Sequence, residues 1–273
     1  MICELPQRDF ERVLPLYDES RYVNIEPWAI IQGHNPGRAF VDNTERPTTV
    51  LVWSQGMEGF YLLGNPNNWD FNKSLAKFLD MTIAPEAREL GYPSCEISGG
   101  DPGWNPVIET VLADQCLSSW QQSVYLYPRT QQKPGHPALP AGFRLVKAVD
   151  MLRADAVSQD SLLGSAIQRY WTSQGVFSQH GGGYCALYQG EIASVCYVSF
   201  RTYDTNALGI ETVKEHRQKG LGRATAAATL REVLAEAKRP YWDCSADNLA
   251  SAATARGVGL EKAWEYTCHG YPL

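Results

Sequence analysis

Between residues 215 and 224 the chain reads Glu215-His216-Arg217-Gln218-Lys219-Gly220-Leu221-Gly222-Arg223-Ala224. Gly220 and Gly222 allow a tight turn that brings successive backbone N–H groups towards one point. The Ala-rich stretch 220–237 has helical spacing, with Leu221, Ala224, Ala228 and 230–234 on a stripe. Its unpaired N–H groups and positive dipole end would face that same point. Arg217, Lys219 and Arg223 add cationic side chains. The chemistry this spacing predicts is a cradle for a pyrophosphate. The bland alternative is a glycine turn before a surface helix, and a lone Gly-x-Gly does not separate the two.

Two carboxylates, Glu211 and Asp243, lie on strands expected at 207–213 and 241–245. Either is suited to general acid–base work, and either reads equally well as a structural hydrogen-bond acceptor. Cys244 is a candidate nucleophile, but no His lies near it in sequence to activate it, so it reads as a small buried strand residue. His180-Gly181-Gly182-Gly183 precedes a strand where a phosphate cradle needs a helix, and it reads as a mobile loop bordering an acceptor pocket. Trp69, Trp104 and Trp171 read as core more readily than as a substrate wall.

The elements that must position these groups follow from periodicity. Strands are expected at 143–149, 183–188, 191–200, 207–213, 241–245 and 262–266, and helices at 162–171, 220–237 and 248–256. Gln189-Gly190 joins two of the strands as a hairpin. In the N-terminal half, helices are expected at 10–18, 71–81 and 107–116, and strands at 48–53 and 59–63 with a turn at Gly56. The Pro- and Gly-rich segment 128–142 reads as a linker. The chain therefore divides into units 1–127 and 143–273.

With 273 residues, 44% of them apolar and 20% charged, the chain suits two folded units. The net charge of −6 and the absence of a basic run argue against nucleic acid or an anionic membrane as partner. No stretch approaches the roughly 20 apolar residues of a membrane helix, and residues 1–6 lack a signal-peptide pattern. Seven scattered Cys without a Cys-x-x-Cys pair, and five dispersed His, point to neither a disulfide framework nor a metal site. A cytoplasmic location is expected.

The run Arg217-x-x-Gly220-x-Gly222 after a strand resembles the acetyl-CoA signature of the GNAT N-acetyltransferase superfamily. Trp242-Asp243-Cys244, Asn248-Leu249-Ala250-Ser251 and Gly257-Val258-Gly259-Leu260 resemble the second half of that signature, with Leu260 where Phe is usual. More narrowly, Ile210-Glu211-Thr212 and Tyr241-Trp242-Asp243-Cys244, with Ala39-Phe40-Val41-Asp42-Asn43 and Gly64-Asn65-Pro66-Asn67-Asn68, resemble a bacterial two-half GNAT family. That resemblance implies an α/β fold with a mixed sheet, in which a C-terminal GNAT acyl-CoA N-acyltransferase domain follows a smaller or degenerate GNAT-like domain.

The resemblance further implies acetyl-CoA as cosubstrate, its pantetheine arm lying between splayed strands 207–213 and 241–245. The residues that would hold it are Ile210, Thr212, Val213, Arg217, Gln218, Lys219, Gly220, Leu221, Gly222, Arg223, Ala224, Asn248 and Ser251. A backbone N–H near 211–213 would polarise the thioester carbonyl. The acceptor implied is a primary amine on a small molecule, and because the narrower family includes an antibiotic self-resistance type, antibiotics and related metabolites are candidates. Glu211 or Asp243 would take the proton, directly or through water. Many members carry a Tyr seven residues after the Asn, which protonates the departing thiolate; that place here is Ala255. Either Tyr266, Ser251 or Cys244 substitutes, or the thiolate leaves without a dedicated acid, which a thiol of pKa about 8.5 tolerates. The same departure supports the alternative of a non-catalytic CoA-binding or sensing protein. A monomer or a homodimer is compatible with the sequence.

Overall fold

The computed structural model describes residues 2–17, 24–55, 59–129, 133–135 and 138–273. In chain order its strands and α-helices are β1 (Cys3–Leu5), α1 (Glu26–Ile31), β2 (Gly37–Val41), β3 (Thr49–Ser54), β4 (Gly59–Gly64), α2 (Trp69–Phe78), α3 (Ala84–Glu89), β5 (Ser94–Gly99), α4 (Asn105–Val111) and β6 (Ser118–Leu126). There follow β7 (Phe143–Lys147), α5 (Ala148–Arg153), α6 (Leu162–Tyr170), α7 (Gln174–His180), β8 (Gly183–Tyr188), β9 (Glu191–Arg201), β10 (Thr205–Thr212), α8 (Leu221–Ala235), β11 (Arg239–Ser245), α9 (Leu249–Gly257) and β12 (Glu261–Pro272). Two compact units result, residues 1–122 with 265–273 and residues 123–264.

The unit boundary lies earlier than the expected linker, within segment 118–126, which forms a strand, β6, that the sequence reading did not include. Its first half bonds to the C-terminal residues: the Ser118 hydroxyl donates to the Gly270 carbonyl at 3.1 Å, and Gln121 Nε2 to Thr267 Oγ1 at 3.0 Å. The last strand runs well past the expected 262–266, and its final residues join the first unit. Segment 127–142 contains no helix or strand among its described residues, and Arg231 holds it at the Pro134 carbonyl. The expected turn at Gly56 and the end of the 10–18 helix lie outside the described residues; 7–16 form a 3-10 helix.

In the first unit β3 and β4 are buried almost throughout. Their alternating side chains feed two cores. Leu51, Trp53, Phe60 and Leu62 pack with Phe71, Leu75 and Ile108, whereas Val50, Val52, Tyr61 and Leu63 pack with Val13, Trp28 and Ile30. β4 and β5 run parallel.

The second unit orders its strands β11-β10-β9-β8-β7. The hairpin expected at Gln189-Gly190 joins β8 to β9, with φ of 52° and 96° at the two turn residues. Helix α8 packs on one face of β9, where the Thr229 hydroxyl donates to the Cys196 carbonyl. Helix α6 packs on the other face, where Tyr170 meets Tyr197. The Ala-rich run lets α8 settle close to the sheet, and residues 224–230 are all buried rather than forming a narrow stripe. Of the run His180–Gly183 expected as a loop, Gly181 and Gly182 lie outside helix and strand, whereas His180 ends helix α7, which the Ser173 hydroxyl caps, and Gly183 begins β8; Arg201 donates to the His180 carbonyl.

Candidate functional site

Strands β10 and β11 are parallel but bond along only three pairs, Thr205↔Arg239, Asn206↔Pro240 and Ala207↔Tyr241. Beyond Ala207 each strand continues without the other. The break coincides with a register shift between β10 and β9 at Ala207/Leu208, a bulge that bends and twists the ladder. The Val213 amide donates to the Ala193 carbonyl at 3.0 Å, which fixes the alternation along β10. Residues 209 and 211 therefore bond towards β9, while the main-chain groups of Ile210 and Thr212 turn towards the gap. Of the β10 amides expected to meet a ligand, that of Val213 is engaged within the sheet and those of Ile210 and Thr212 face the opening.

The loop from β10 to α8 ends beside this gap. Gly220 has φ +78°, a left-handed conformation that side chains rarely adopt, and a Cβ built on it meets nothing within 4 Å. Ala224 makes the first helical bond, to the Gly220 carbonyl. The amides of Leu221, Gly222 and Arg223 precede it, and no side chain caps this helix end. A Cβ on Gly222 would stand 3.2 Å from Ile210 Cδ1, so the mouth of α8 abuts the diverging part of β10.

The three cations divide their work. Arg217 Nε donates to the Thr212 carbonyl at 3.1 Å, bracing the end of β10. Lys219 Nζ stands 3.1 Å from His216 Nδ1, and His216 in turn packs against Phe143 and Tyr188. Arg223 lies along Gly257 at the end of α9. Gln218, with φ +61°, is exposed.

Both carboxylates project from the same face of the sheet, opposite α8. Glu211 shares its face of β10 with Gly209 and Ala207, and Ala207 is directly paired with Tyr241, two residues before Asp243. Glu211 is exposed. Asp243 is half-buried and accepts a hydrogen bond from the Tyr241 hydroxyl at 2.8 Å.

Asn248 and Ser251 have local duties. The Asn248 side chain caps α9 by accepting from the Ser251 amide at 3.1 Å, and the Ser251 hydroxyl accepts from Trp242 Nε1 at 2.9 Å. Ala255 is fully buried. Burial raises the pKa of the Cys244 thiol, which suits a packed strand residue better than a nucleophile. The Tyr266 hydroxyl accepts from Asn24 Nδ2 within the first unit. Trp104 and Trp171 are core, whereas Trp69 is exposed on α2. Among the described residues no group of His, Cys, Asp and Glu is placed to hold a metal, and no helix is long and apolar enough to cross a membrane.

The sequence pattern of GNAT acetyltransferases matches residues 22–269. The chain belongs to the GNAT acetyltransferase family. Solved GNAT structures align with it over nearly its whole length at low identity. An N-acetyltransferase-like protein from Streptococcus suis is 17% identical with a TM-score of 0.69, covering 97% of this chain and 98% of that one. A tandem GNAT protein from the clavulanic acid biosynthesis pathway is 15% identical with a TM-score of 0.65, covering 100% and 98%. A GNAT-family acetyltransferase from Colwellia psychrerythraea is 9% identical with a TM-score of 0.60, covering 100% of both chains. At these identities the likeness establishes the fold. No curated protein sequence matches the chain. The α/β mixed-sheet GNAT fold implied by the Arg217–Gly222 motif is thus the observed one, and family and fold together are those of acyl transferases.

Proposed function

We propose that the second unit transfers an acetyl group from acetyl-CoA to a primary amine of a small molecule. The observation that carries this reading is the pairing of an uncapped helix mouth at Gly220 with a parallel strand pair that separates after Ala207. The two features fit an acyl-CoA: open N–H groups and a positive dipole end suit a diphosphate, and the separated strands offer main-chain partners to an amide-bearing arm. Leu221, Gly222, Arg223 and Ala224 would form the helix side of that cradle, with Gln218, Lys219 and Gly220 at its turn. Arg217 would keep Thr212 in place.

When bound, acetyl-CoA supplies an acetyl thioester whose C–S bond is exchanged for a C–N bond to the amine, coenzyme A departing as thiolate. The chain's own residues must bring in the amine and remove its proton. Glu211 is the better base: it is exposed on the diverging stretch of β10, free to approach an ammonium group or a bridging water. Asp243, fixed by Tyr241, orients the floor of the site. The amides of Ile210 and Thr212 would donate to a developing oxyanion, since that of Val213 is already bonded to the Ala193 carbonyl.

Thiol release from acetyl-CoA across a panel of amines tests the reading. Turnover with at least one amine, reduced by Glu211→Gln, supports it. The buried Ala255, which offers no proton to a thiolate, favours a second reading as a CoA-binding or sensing module. Saturable acetyl-CoA binding without thiol release on any amine selects that one.

A further inference from the structure

Helix α2 carries more apolar surface than the core beneath it uses. Phe71 and Leu75 are buried in that core together with Ile108 of α4. A neighbouring stripe of α2, made of Trp69, Lys73 and Ala76 at i, i+4 and i+7, lies outside it. Across a cleft of about 510 Å³ stand Pro106, Val107 and Val111 of α4. The cleft is lined wholly by the first unit, and its size falls in the roughly 300–1,000 Å³ range of small-molecule sites. Trp69 remains 67% exposed beside it.

The polar side chains of the cleft are unequally occupied. Asn72 Nδ2 donates to the Pro66 carbonyl and the Thr110 hydroxyl to the Pro106 carbonyl, both at 2.7 Å. Their donors are thereby committed to the main chain. Lys73 is different. Its Nζ lies 4.7 Å from the centroid of the Trp69 ring, and among the described residues no carboxylate pairs with it. Asp70 and Glu109, the carboxylates of the two helices, are exposed and do not line the cleft. What the cleft presents is therefore apolar walls, one indole and one ammonium held over that indole.

This combination selects by charge. A cationic ligand would compete with Lys73 for the indole face and meet its like charge. A neutral apolar molecule gains only the walls. A molecule with an apolar body and a carboxylate gains both, because an ammonium and a carboxylate form a charge-assisted hydrogen bond. We propose that the α2–α4 cleft binds a small aryl or alkyl carboxylate, its body between Trp69 and Val107 and its carboxylate on Lys73. Binding involves no covalent step. It belongs to the first unit alone and does not depend on the acetyl-transfer reading of the second.

Isothermal titration tests this on the full chain with octanoate and 4-phenylbutyrate, each beside its carboxamide and its primary amine. The same titrations are run on Trp69→Ala, Lys73→Gln, Lys73→Arg and Lys77→Gln. All three side chains are exposed, so these variants probe binding rather than folding. At least one carboxylate should bind one equivalent per chain with a Kd of about 1 mM or tighter. It should bind roughly fivefold more tightly than its amide, with the amine weakest. Lys73→Gln should bring acid and amide to within about twofold, whereas Lys73→Arg and Lys77→Gln should keep the preference. Trp69→Ala should weaken acid and amide alike, by roughly tenfold. No saturable binding of either carboxylate, an amide or amine bound as tightly as its acid, or a preference that survives Lys73→Gln overturns the inference. So does a dimer in sedimentation runs that Trp69→Ala dissociates, which would give this face to a second copy of the chain. Acetyl-CoA binding and thiol release are separate readouts, and their failure would leave this inference standing.

Discussion

The two units repeat one arrangement, a strand followed by a loop and a helix beside a second parallel strand, yet only one leaves that arrangement open. In the first unit β4 and β5 stay paired from Gly59↔Glu96 to Leu62↔Gly99, and the Gly100 amide adds a further bond to the Leu62 carbonyl at 2.7 Å. In the second unit pairing stops after three residues. Helix α2 begins at Asn68, whose side chain accepts from the Phe71 amide while its Nδ2 donates to Asp42 and Thr49. Helix α8 begins at a bare glycine. Gly64, before α2, is hemmed in by the Thr48 carbonyl, whereas Gly220 faces open space. On the proposed reading, the contrast teaches that the fold alone does not make a cofactor site. Main-chain groups must also be left unsatisfied, and the first unit has satisfied them with its own side chains.

Exchanging the glycines breaks the comparison most sharply. Gly220→Val should weaken acetyl-CoA binding by at least about 100-fold, roughly 3 kcal/mol, while the left-handed strain costs about 1–2 kcal/mol of stability. Gly64→Val should leave cofactor affinity unchanged in whatever protein folds, but destabilise the first unit by about 3 kcal/mol or more, since a Cβ there would lie 2.2 Å from the Thr48 carbonyl oxygen. Calorimetric binding and denaturant melts read the two effects separately.

Glu211→Gln follows, with a loss of about 100-fold in kcat/KM for the preferred amine, against a smaller loss for Asp243→Asn. The reverse order, measured by thiol release, would transfer the role of base to Asp243.

A smaller effect belongs to the first unit. Asn68→Ala removes a cap and two side-chain bonds, and should cost about 1–2 kcal/mol in urea melts without altering acetyl-CoA affinity.

The smallest is a pH dependence. Burial alone would raise the pKa of the Asp42 carboxyl, but the Thr48 hydroxyl and the amides of Thr48, Thr49 and Asn43 outweigh it and hold the value below the ordinary carboxylate range. A depressed folded-state value means that this stabilisation is present above the unfolded pKa of about 3.9 and fades as pH falls through the lower folded value. Stability measured from pH 5 down to pH 2 should therefore decline less steeply in Asp42→Asn than in the wild type.

Much of the second unit was legible in the sequence because its signals are local. Alternation gave β8 and β9, and Gly220, Gly222 and the alanines gave the mouth and body of α8. The assignment of Arg217 and Lys219 to the turn came from the same short run. What was not legible depends on pairing across the chain. The amphipathic-looking segment 107–116 gave no sign that strand β6 follows it, and the fate of residues 265–273 is decided by partners more than a hundred residues away. Tyr170 and Tyr197 belong to no motif, and only the β9–β10 register and the placement of α6 bring them over Gly209, the neighbour of Glu211 on that face. Asn248 and Ser251 are legible in the sequence as part of a motif, but their local duties are not. The Asn248 side-chain oxygen caps α9 and the Ser251 hydroxyl accepts from Trp242, contacts set by the fold around them.

The account stands on acetyl-CoA binding at the mouth of α8 and nowhere else in the chain. Isothermal titration of acetyl-CoA into the full protein, its Gly220→Val variant and its Asn68→Ala variant tests this directly. One equivalent bound per chain, lost in the first variant and kept in the second, is the predicted result. Two equivalents per chain, or one equivalent that survives Gly220→Val, would contradict it.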